Sequence, residues 1–196
     1  MHCGSCWSFS TTGTVEGANF RKTGKLVSLS EQNLVDCDKL DHGCLGGLPM
    51  NAYKYIEENG IMTEKDYPYV AANGVCKFNQ SKVAVKITSF IRVAEGDEED
   101  LKEKVALLGP VSIGIDSTWM FQLYKSGLFD DDLCQNNNDS LHHGVLVVGY
   151  GSENGKDYWI VKNSYGIEWG MDGYILMSRN KNNQCGVATF GTVATI

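Results

Sequence analysis

Three side chains of the types used in covalent acyl transfer stand far apart along the 196-residue chain. Cys6 lies in a Cys-Gly-Ser-Cys-Trp run, His143 in Leu-His-His-Gly-Val and Asn163 in Lys-Asn-Ser-Tyr-Gly. A thiolate is the nucleophilic form of cysteine, an imidazole can take and return a proton, and an amide can fix the imidazole through its second ring nitrogen. The three residues predict a nucleophile, a base and a residue that orients the base.

The place of Cys6 in the sequence favours this chemistry. A free thiol is mostly protonated near neutral pH, so a nucleophilic cysteine requires an electropositive site. If a helix begins at Cys6, its unpaired N–H groups and macrodipole stabilise the thiolate. Two alternatives compete, because a lone cysteine is usually a buried filler or half of a disulfide, and Cys3-Gly4-Ser5-Cys6 also fits a redox motif or half of a zinc site. The redox motif should follow a strand of a βαβ unit, yet only two residues precede Cys3.

Further sequence blocks occur in the order found in one protease family. They are Leu-Ser-Glu-Gln-Asn-Leu-Val-Asp-Cys at 29–37, Gly-Cys-Leu-Gly-Gly at 43–47, Tyr-Pro-Tyr at 67–69, Gly-Pro-Val at 109–111, Gly-Val-Leu-Val-Val-Gly-Tyr-Gly at 144–151 and Tyr-Trp-Ile-Val-Lys-Asn-Ser at 158–164. His143 and Asn163 also follow Cys6 at about the spacing of papain and cathepsin enzymes, roughly 130–150 residues. The chain resembles the papain-like cysteine proteases of the cathepsin L group.

This resemblance implies a cysteine endopeptidase in which Cys6 is the nucleophile, His143 the acid and base, and Asn163 the orienting residue. The reaction would pass through a thioester acyl-enzyme and needs neither a metal nor a cofactor. In the family, a Gln three residues before the first Cys of the motif completes the oxyanion hole, and that slot would precede Met1. We therefore expect an N-terminally incomplete mature domain, with a catalytically impaired papain-fold binding protein as the alternative function.

The resemblance also implies a set of substrate-binding residues. Gly46 and Gly47 would pair with an extended substrate, and Trp169 would line the leaving-group side. The S2 pocket, which receives the P2 residue, would be formed by Leu48, Pro49, Gly114, Leu141 and Phe190. This set contains no acid, so we expect Leu or Val to be preferred at P2 and Arg to be strongly disfavoured.

Two positions depart from the family pattern close to the predicted site. His142 stands where Asp or Asn is common, which adds a second titratable ring beside His143. Tyr165 stands where the family usually has Trp, and the smaller ring predicts weaker shielding of the hydrogen bond between His143 and Asn163.

Seven cysteines favour an oxidising compartment, in which six of them can pair and one remains free. Six cysteines allow 15 pairings, and spacing alone does not choose between them. The resemblance implies the disulfides Cys3–Cys44, Cys37–Cys76 and Cys134–Cys185, which leave Cys6 as the free thiol. It also implies a lysosomal or secreted monomer that acts on proteins or peptides and is inhibited by a propeptide or cystatin-like proteins.

Composition narrows the partners further. The chain has 24 acidic and 17 basic residues, for a formal net charge of −7. Nucleic acid or an anionic membrane would require a basic surface, and no apolar run approaches the roughly 20 residues that span a bilayer. We expect a soluble globular protein that binds neither.

Hydrophobic periodicity predicts helices up to residue 59 and strands from residue 83 onward, with one helix among the strands. The predicted helices are 7–20, 30–36, 49–59 and 98–108, and the predicted strands are 83–87, 111–115, 145–150, 158–161 and 174–177. Ser28 and Glu31 are predicted to form a capping box ahead of the second helix, and residues 130–140 a polar loop.

These elements predict an α+β fold. The family resemblance divides it into a helical left lobe at residues 1–92, carrying Cys6, and an antiparallel barrel-like right lobe at residues 93–196, carrying His143 and Asn163. The active-site cleft would lie between the lobes, and the C-terminal tail could return to the left lobe.

Overall fold

A computed structural model describes residues 3–196 and shows two compact units. The first runs to residue 91 and also includes residues 193–196, and the second consists of residues 92–192. Within residues 3–196, none of the helices combines the length and the apolar character that a membrane crossing demands.

Three helices dominate the first unit. They are α1 (Cys6–Thr23), α2 (Glu31–Cys37) and α3 (Pro49–Asn59). Helix α1 ends where Gly24 adopts a left-handed φ of 72° and donates its N–H to the carbonyl of Phe20, a common form of C-terminal cap. The hydroxyls of Ser8, Thr11 and Thr14 donate to carbonyls of the preceding turn, so these buried polar groups are satisfied by the helix and its N-cap residue. The helix is longer at both ends than the predicted 7–20.

The predicted capping box of α2 is wrong. Ser30, not Ser28, is the N-cap, and its hydroxyl oxygen accepts the backbone N–H of the third helical residue. Glu31 is the first helical residue and is buried. The prediction fails because the chain before the helix is extended, with Leu29 forming an isolated antiparallel bridge to Thr63. That tertiary pairing places the N-cap two residues later than predicted.

The strands of the first unit are short. They are β1 (Ile61–Met62), β2 (Val83–Val85) and all but the last residue of β3 (Ser89–Arg92). Strands β1 and β2 pair antiparallel, and β2 ends two residues before the predicted limit of 87. The C-terminal segment packs in this unit, since the N–H of Thr88 donates to the carbonyl of Thr195 and Ala194 is part of the apolar core. The largest buried side chains of this core are those of Trp7, Leu29, Leu34, Tyr53, Ile56 and Ile61.

The second unit is built mainly on a sheet. Its elements are α4 (Glu98–Leu108), β4 (Val111–Ile115), α5 (Trp119–Gln122), β5 (Leu128–Phe129), β6 (His143–Glu153), β7 (Lys156–Lys162), β8 (Tyr174–Ser178) and β9 (Phe190–Thr195), whose last residues belong to the first unit. The strand order is β9-β4-β6-β7-β8-β5. Pairs β4–β9, β4–β6, β6–β7 and β7–β8 are antiparallel, as predicted for this region, but the two-residue edge strand β5 runs parallel to β8.

Sequence patterns located the long elements of this unit better than the short ones. Helix α4 has the predicted bounds, with Asp97 as N-cap and Gly109 at a φ of 107° just past its end. Helix α5 and strands β5 and β9 were not predicted. Helix α5 has four residues, which is too short for a 3.6-residue periodicity to emerge.

Disulfides join Cys3 to Cys44, Cys37 to Cys76 and Cys134 to Cys185, the pairs that the resemblance implied. Cys6 is the free cysteine. Because Cys3 is bonded to Cys44, the first two cysteines do not form the internal disulfide that a redox motif requires.

Candidate active site

Cys6 is the first residue of α1 and is half-buried. The first N–H groups of a helix have no partner within the helix and, with the macrodipole, create a positive end. The first turn of α1 contains no acidic residue, whereas Arg21 and Lys22 lie in its last turn. The first turn of α1 therefore places no negatively charged side chain beside Cys6.

The start of α1 is fastened to the segment of residues 43–48. The disulfide from Cys3 reaches Cys44, and the N–H of Gly4 donates to the Cys44 carbonyl at 2.8 Å. The buried indole of Trp7 donates to the carbonyl of Gly43 at 3.1 Å. These bonds fix the predicted nucleophile relative to the predicted substrate-binding glycines of the same unit.

Gly46 and Gly47 differ in the hydrogen bonds that their backbone groups make. The N–H of Gly46 donates to the Gly43 carbonyl at 3.3 Å, and its carbonyl accepts from the His42 N–H at 3.0 Å. Within the described residues, the backbone of Gly47 has no such partners. Gly47 is therefore the better candidate for pairing with an extended chain. Leu48, the N-cap of α3, is half-exposed, and Pro49 is the first residue of that helix and is buried.

The sheet of the second unit brings His143 and Asn163 together. His143 is the first residue of β6, where it pairs with Ile115 of β4, and Asn163 directly follows β7. Because β6 and β7 are antiparallel, the start of one lies beside the end of the other. Nε2 of His143 and Oδ1 of Asn163 are 2.8 Å apart, and both side chains are buried.

The hydrogen bonds of Asn163 determine the tautomer of His143. The backbone N–H of Ser164 donates to Oδ1 of Asn163 at 2.8 Å, which establishes that atom as an oxygen acceptor. Nε2 of His143 bonds to the same oxygen and must therefore donate a proton. The proton on Nε2 leaves Nδ1 of the neutral ring as the nitrogen that can accept a proton.

Aromatic rings enclose His143. Tyr165 stacks on the imidazole with a centroid distance of 5.0 Å, and Phe121 contacts its edge at 5.8 Å. Trp169 in turn packs against Phe121 at 5.0 Å and Tyr165 at 5.7 Å. Phe121 was missed by the sequence reasoning, and its only signal was the aromatic character of a short run. The Tyr165 ring thus lies directly on the imidazole, with 46% of its surface exposed.

The electrostatic surroundings act on the charge state of His143. Burial lowers the pKa of His143 below its ordinary value, the hydrogen bond to Asn163 partly restores it, and the neighbouring His142 lowers it further. His142 is itself anchored, since Nδ1 lies 2.8 Å from the Ser140 carbonyl and Nε2 lies 3.1 Å from Oγ of Ser117. His142, which departs from the family pattern, therefore places an ordered imidazole next to the candidate base His143.

Three of the predicted S2 residues meet in the second unit. An ideal Cβ built on Gly114 would lie 3.5 Å from Cδ1 of Leu141 and 3.8 Å from Cβ of Phe190. Gly114 pairs with Phe190 across β4 and β9. The guanidinium of Arg92 lies 5.7 Å from the centroid of the Phe190 ring, a cation–π contact that the sequence did not reveal. The group is apolar, and a positive charge lies beside Phe190.

Similarity to known proteins extends over nearly the whole chain. Residues 1–195 match the family described as papain family cysteine protease. Cathepsin L of Sarcophaga peregrina is 54% identical over 200 residues, which cover 100% of this chain and 58% of that protein. Human cathepsin L2 is 50% identical over 195 residues, which cover 95% of this chain and 58% of that protein.

A solved structure of digestive procathepsin L 3 from the larval midgut of Tenebrio molitor superposes with a TM-score of 0.96 at 47% identity. The match covers 99% of this chain and 64% of that one, and it confirms the predicted papain-like α+β fold. The chain spans a little over half the length of the curated relatives described here. By its sequence and its fold, the chain belongs to the papain family of cysteine proteases.

Proposed function

We propose that this chain is the peptidase domain of a cathepsin L-like cysteine endopeptidase. The observation that carries the proposal is the bond between His143 and Asn163, which presents Nδ1 of the base for proton transfer. The free thiol of Cys6 at the start of α1 supports it. In this proposal the first unit supplies the nucleophile as one lobe, and the second unit supplies the base and its orienting residue as the other.

The proposed reaction has two stages. The Cys6 thiolate attacks a peptide carbonyl carbon, and the C–N bond breaks as the His143 imidazolium gives its Nδ1 proton to the leaving amine. A water molecule then attacks the resulting thioester while Nδ1 takes its proton. Collapse of that intermediate releases the carboxylic acid product and restores the thiolate. Asn163 holds the imidazole in one plane and tautomer throughout.

Substrate choice in this proposal depends mainly on the P2 side chain. Gly114, Leu141 and Phe190 lie together without an acid among them, and the other two residues proposed for this pocket, Leu48 and Pro49, are likewise apolar. A buried guanidinium without a partner is costly, and Arg92 beside Phe190 adds like-charge repulsion. Leu or Val is therefore preferred at P2, large aromatics are accepted less well, and Arg is excluded.

The partners and location of the whole protein also belong to the proposal. Relatives solved as procathepsins suggest inhibition by a propeptide, and the family suggests inhibition by cystatin-like proteins and action as a monomer. Three disulfides fit a lysosomal or secreted protein.

The test is hydrolysis of peptidyl fluorogenic substrates by the purified chain, by Cys6→Ala and by Cys6→Ser, at equal concentrations of folded protein. We expect both variants to lose the activity and to lose labelling by a peptidyl epoxide. Cys6 is half-exposed at a helix start, so neither substitution should prevent folding, and circular dichroism checks this. Hydrolysis that survives in Cys6→Ala would exclude Cys6 as the nucleophile.

A further inference from the structure

Two aspartates outside the candidate catalytic residues lie buried next to the segment that carries Gly47 and Leu48. Asp38 follows α2 directly and has 4% of its surface exposed, and Asp41 has 9% exposed. A buried carboxylate is costly unless it is paired or fully hydrogen-bonded. Both side chains therefore require an explanation beyond folding.

One oxygen of each carboxylate is accounted for. Oδ1 of Asp38 accepts the N–H of Leu40 at 2.9 Å. Oδ1 of Asp41 accepts the N–H of Leu48 at 2.9 Å and Nδ2 of Asn51 at 3.0 Å. The second of these bonds reaches α3, so Asp41 joins the loop before residue 43 to the start of that helix.

The second oxygen of each carboxylate is not accounted for in this way. Within the described residues, Oδ2 of Asp38 and Oδ2 of Asp41 are closed off from solvent and have no hydrogen-bond donor. Asp41 raises the pKa of Asp38 both through its charge and through a hydrogen bond between the two side chains. Two carboxylates in contact cannot both be ionised at low cost, and a single proton between them provides the missing donor.

Asp41 is also in contact with the backbone of the glycine pair. An ideal Cβ on Gly47 would lie 2.7 Å from Cγ of Asp41, so the glycine backbone is packed closely on the carboxylate. Together with the bond to the Leu48 N–H, this contact makes the position of residues 47–48 depend on where the Asp41 side chain is held.

We propose that Asp38 and Asp41 share one buried proton between their Oδ2 atoms, and that this proton holds the segment of Gly47 and Leu48 in place. The role of that segment in binding substrate rests on the proposed function, whereas the shared proton does not. Loss of the proton at higher pH places two negative charges in contact, and their repulsion releases the segment.

The surrounding groups are consistent with this assignment. Burial is the main cause that raises the pKa of Asp38 to about 6, and the neighbouring Asp41 raises it as well. On α3, Tyr55 faces Asp38 and its own pKa is raised, chiefly by burial. Lys39 directs its ammonium to the carbonyl of Asp36, and His42 is exposed. None of the contacts described for these groups places a positive charge beside either aspartate.

A direct test is carboxyl ¹³C NMR of the full chain labelled at the aspartate side-chain carbons. We expect one aspartate in the unaltered protein to titrate well above the ordinary range, and its signal to be missing in Asp38→Asn. In Asp41→Asn the pKa of Asp38 should be lower than in the unaltered protein, because the charge of Asp41 no longer raises it. If every aspartate titrates below about pH 5, the shared proton does not exist.

Thermal unfolding gives a second readout that requires no catalysis. In Asp38→Asn an amide N–H can replace the shared proton at every pH, while its oxygen still accepts from Leu40. Between about pH 5 and about pH 8, we expect the melting temperature of Asp38→Asn to fall by about 5 °C less than that of the unaltered chain. Glu57→Gln, which removes an exposed charge on α3, should behave like the unaltered chain.

A bound cation is the competing explanation for two facing carboxylates. If Ca²⁺ raises the melting temperature of the unaltered chain saturably near pH 8, but not that of Asp38→Asn, the pair binds a cation and the proposal is overturned. For the functional consequence, KM of a peptide substrate should rise with pH in the unaltered chain and stay level in Asp38→Asn, while kcat follows the same profile in both. An inactive protein would contradict the proposed function and leave the NMR and melting results to decide the shared proton.

Discussion

Nε2 of His143 donates to Oδ1 of Asn163 at 2.8 Å, and the backbone N–H of Ser164 donates to the same oxygen at 2.8 Å. The two donors leave the amide one orientation and the imidazole one neutral tautomer. A single asparagine thereby decides which nitrogen of the buried ring is available for proton transfer.

Replacing Asn163 with Ala should lower kcat by about 10²-fold, because the imidazole loses its fixed plane and tautomer. The measurement is kcat together with ¹⁵N NMR of the His143 ring, where we expect a mixture of tautomers. Ser164→Ala keeps the backbone donor and serves as the matched control. A variant that lost only stability, with its tautomer unchanged, would limit Asn163 to a structural role.

His142 should influence the titration of its neighbour. Because His142 contributes to lowering the pKa of His143, the uncharged substitution His142→Asn should move that pKa upward. Ring ¹H–¹⁵N NMR over a pH series measures the shift directly. His42→Asn removes an exposed histidine from the other unit and should leave His143 unchanged. A downward shift in His142→Asn would show that contacts of the ring outweigh its charge.

Stability should fall as pH rises toward neutrality because of Glu31. Burial is the main cause that raises the pKa of Glu31 to about 7, so the folded state keeps a proton that the unfolded chain releases near pH 4.5. The contribution of this proton to the free energy of unfolding is fully present below about pH 4.5. It is lost as pH rises through about 7, which lowers the free energy of unfolding by about 3 kcal/mol. Urea unfolding of Glu31→Gln should show a flatter pH profile, since its oxygen can still accept from Thr12. Glu58→Gln, an exposed change on α3, should retain the slope.

Phe190 should limit the size of the accepted P2 side chain. It lies beside Leu141 and Gly114 in the second unit, and truncation to Ala removes a ring from that surface. We expect Phe190→Ala to raise kcat/KM for substrates with Phe at P2, relative to those with Val, by about 10-fold. A peptide library profile compares the two proteins. An unchanged ratio would place the P2 side chain elsewhere.

The sequence predicted the family and the longest elements of the fold, where chemistry and long patterns coincide. The Cys6 motif and the runs containing His143 and Asn163 identified the family. Helix α4 was placed to the residue because its apolar residues recur on one face and Gly109-Pro110 stops it. The cap of α2 was misplaced because a tertiary bridge, which local propensity does not encode, sets the path of the chain before it.

Contacts between residues distant along the chain were the least predictable. Phe121 against His143 and Arg92 over Phe190 join residues that no periodicity connects. The aspartate pair was missed for another reason, since Asp is frequent in loops and only burial distinguishes Asp38 from a solvated turn residue.

Gly47 should tolerate no side chain, because its surroundings are rigid. A Cβ there would lie 2.6 Å from Cδ2 of the buried Trp7 and 2.7 Å from Cγ of Asp41. Neither atom is the free end of a flexible chain, since the Trp7 indole is bonded to a backbone carbonyl and Asp41 is bonded to the Leu48 N–H. Gly47→Ala must therefore shift the start of α1 or residues 47–48.

Overpacking of this kind costs about 1–3 kcal/mol, which urea unfolding of Gly47→Ala can measure, and the displaced backbone should also raise KM for a peptide substrate. Gly149→Ala is the matched control, because its Cβ would meet only Ile160, with Cδ1 at 3.4 Å. The control should change stability by less than Gly47→Ala and leave KM unaltered. If Gly47→Ala is as stable as the unaltered chain and binds substrate equally well, the Trp7 indole can move away, and the close packing around Gly47 does not position the segment.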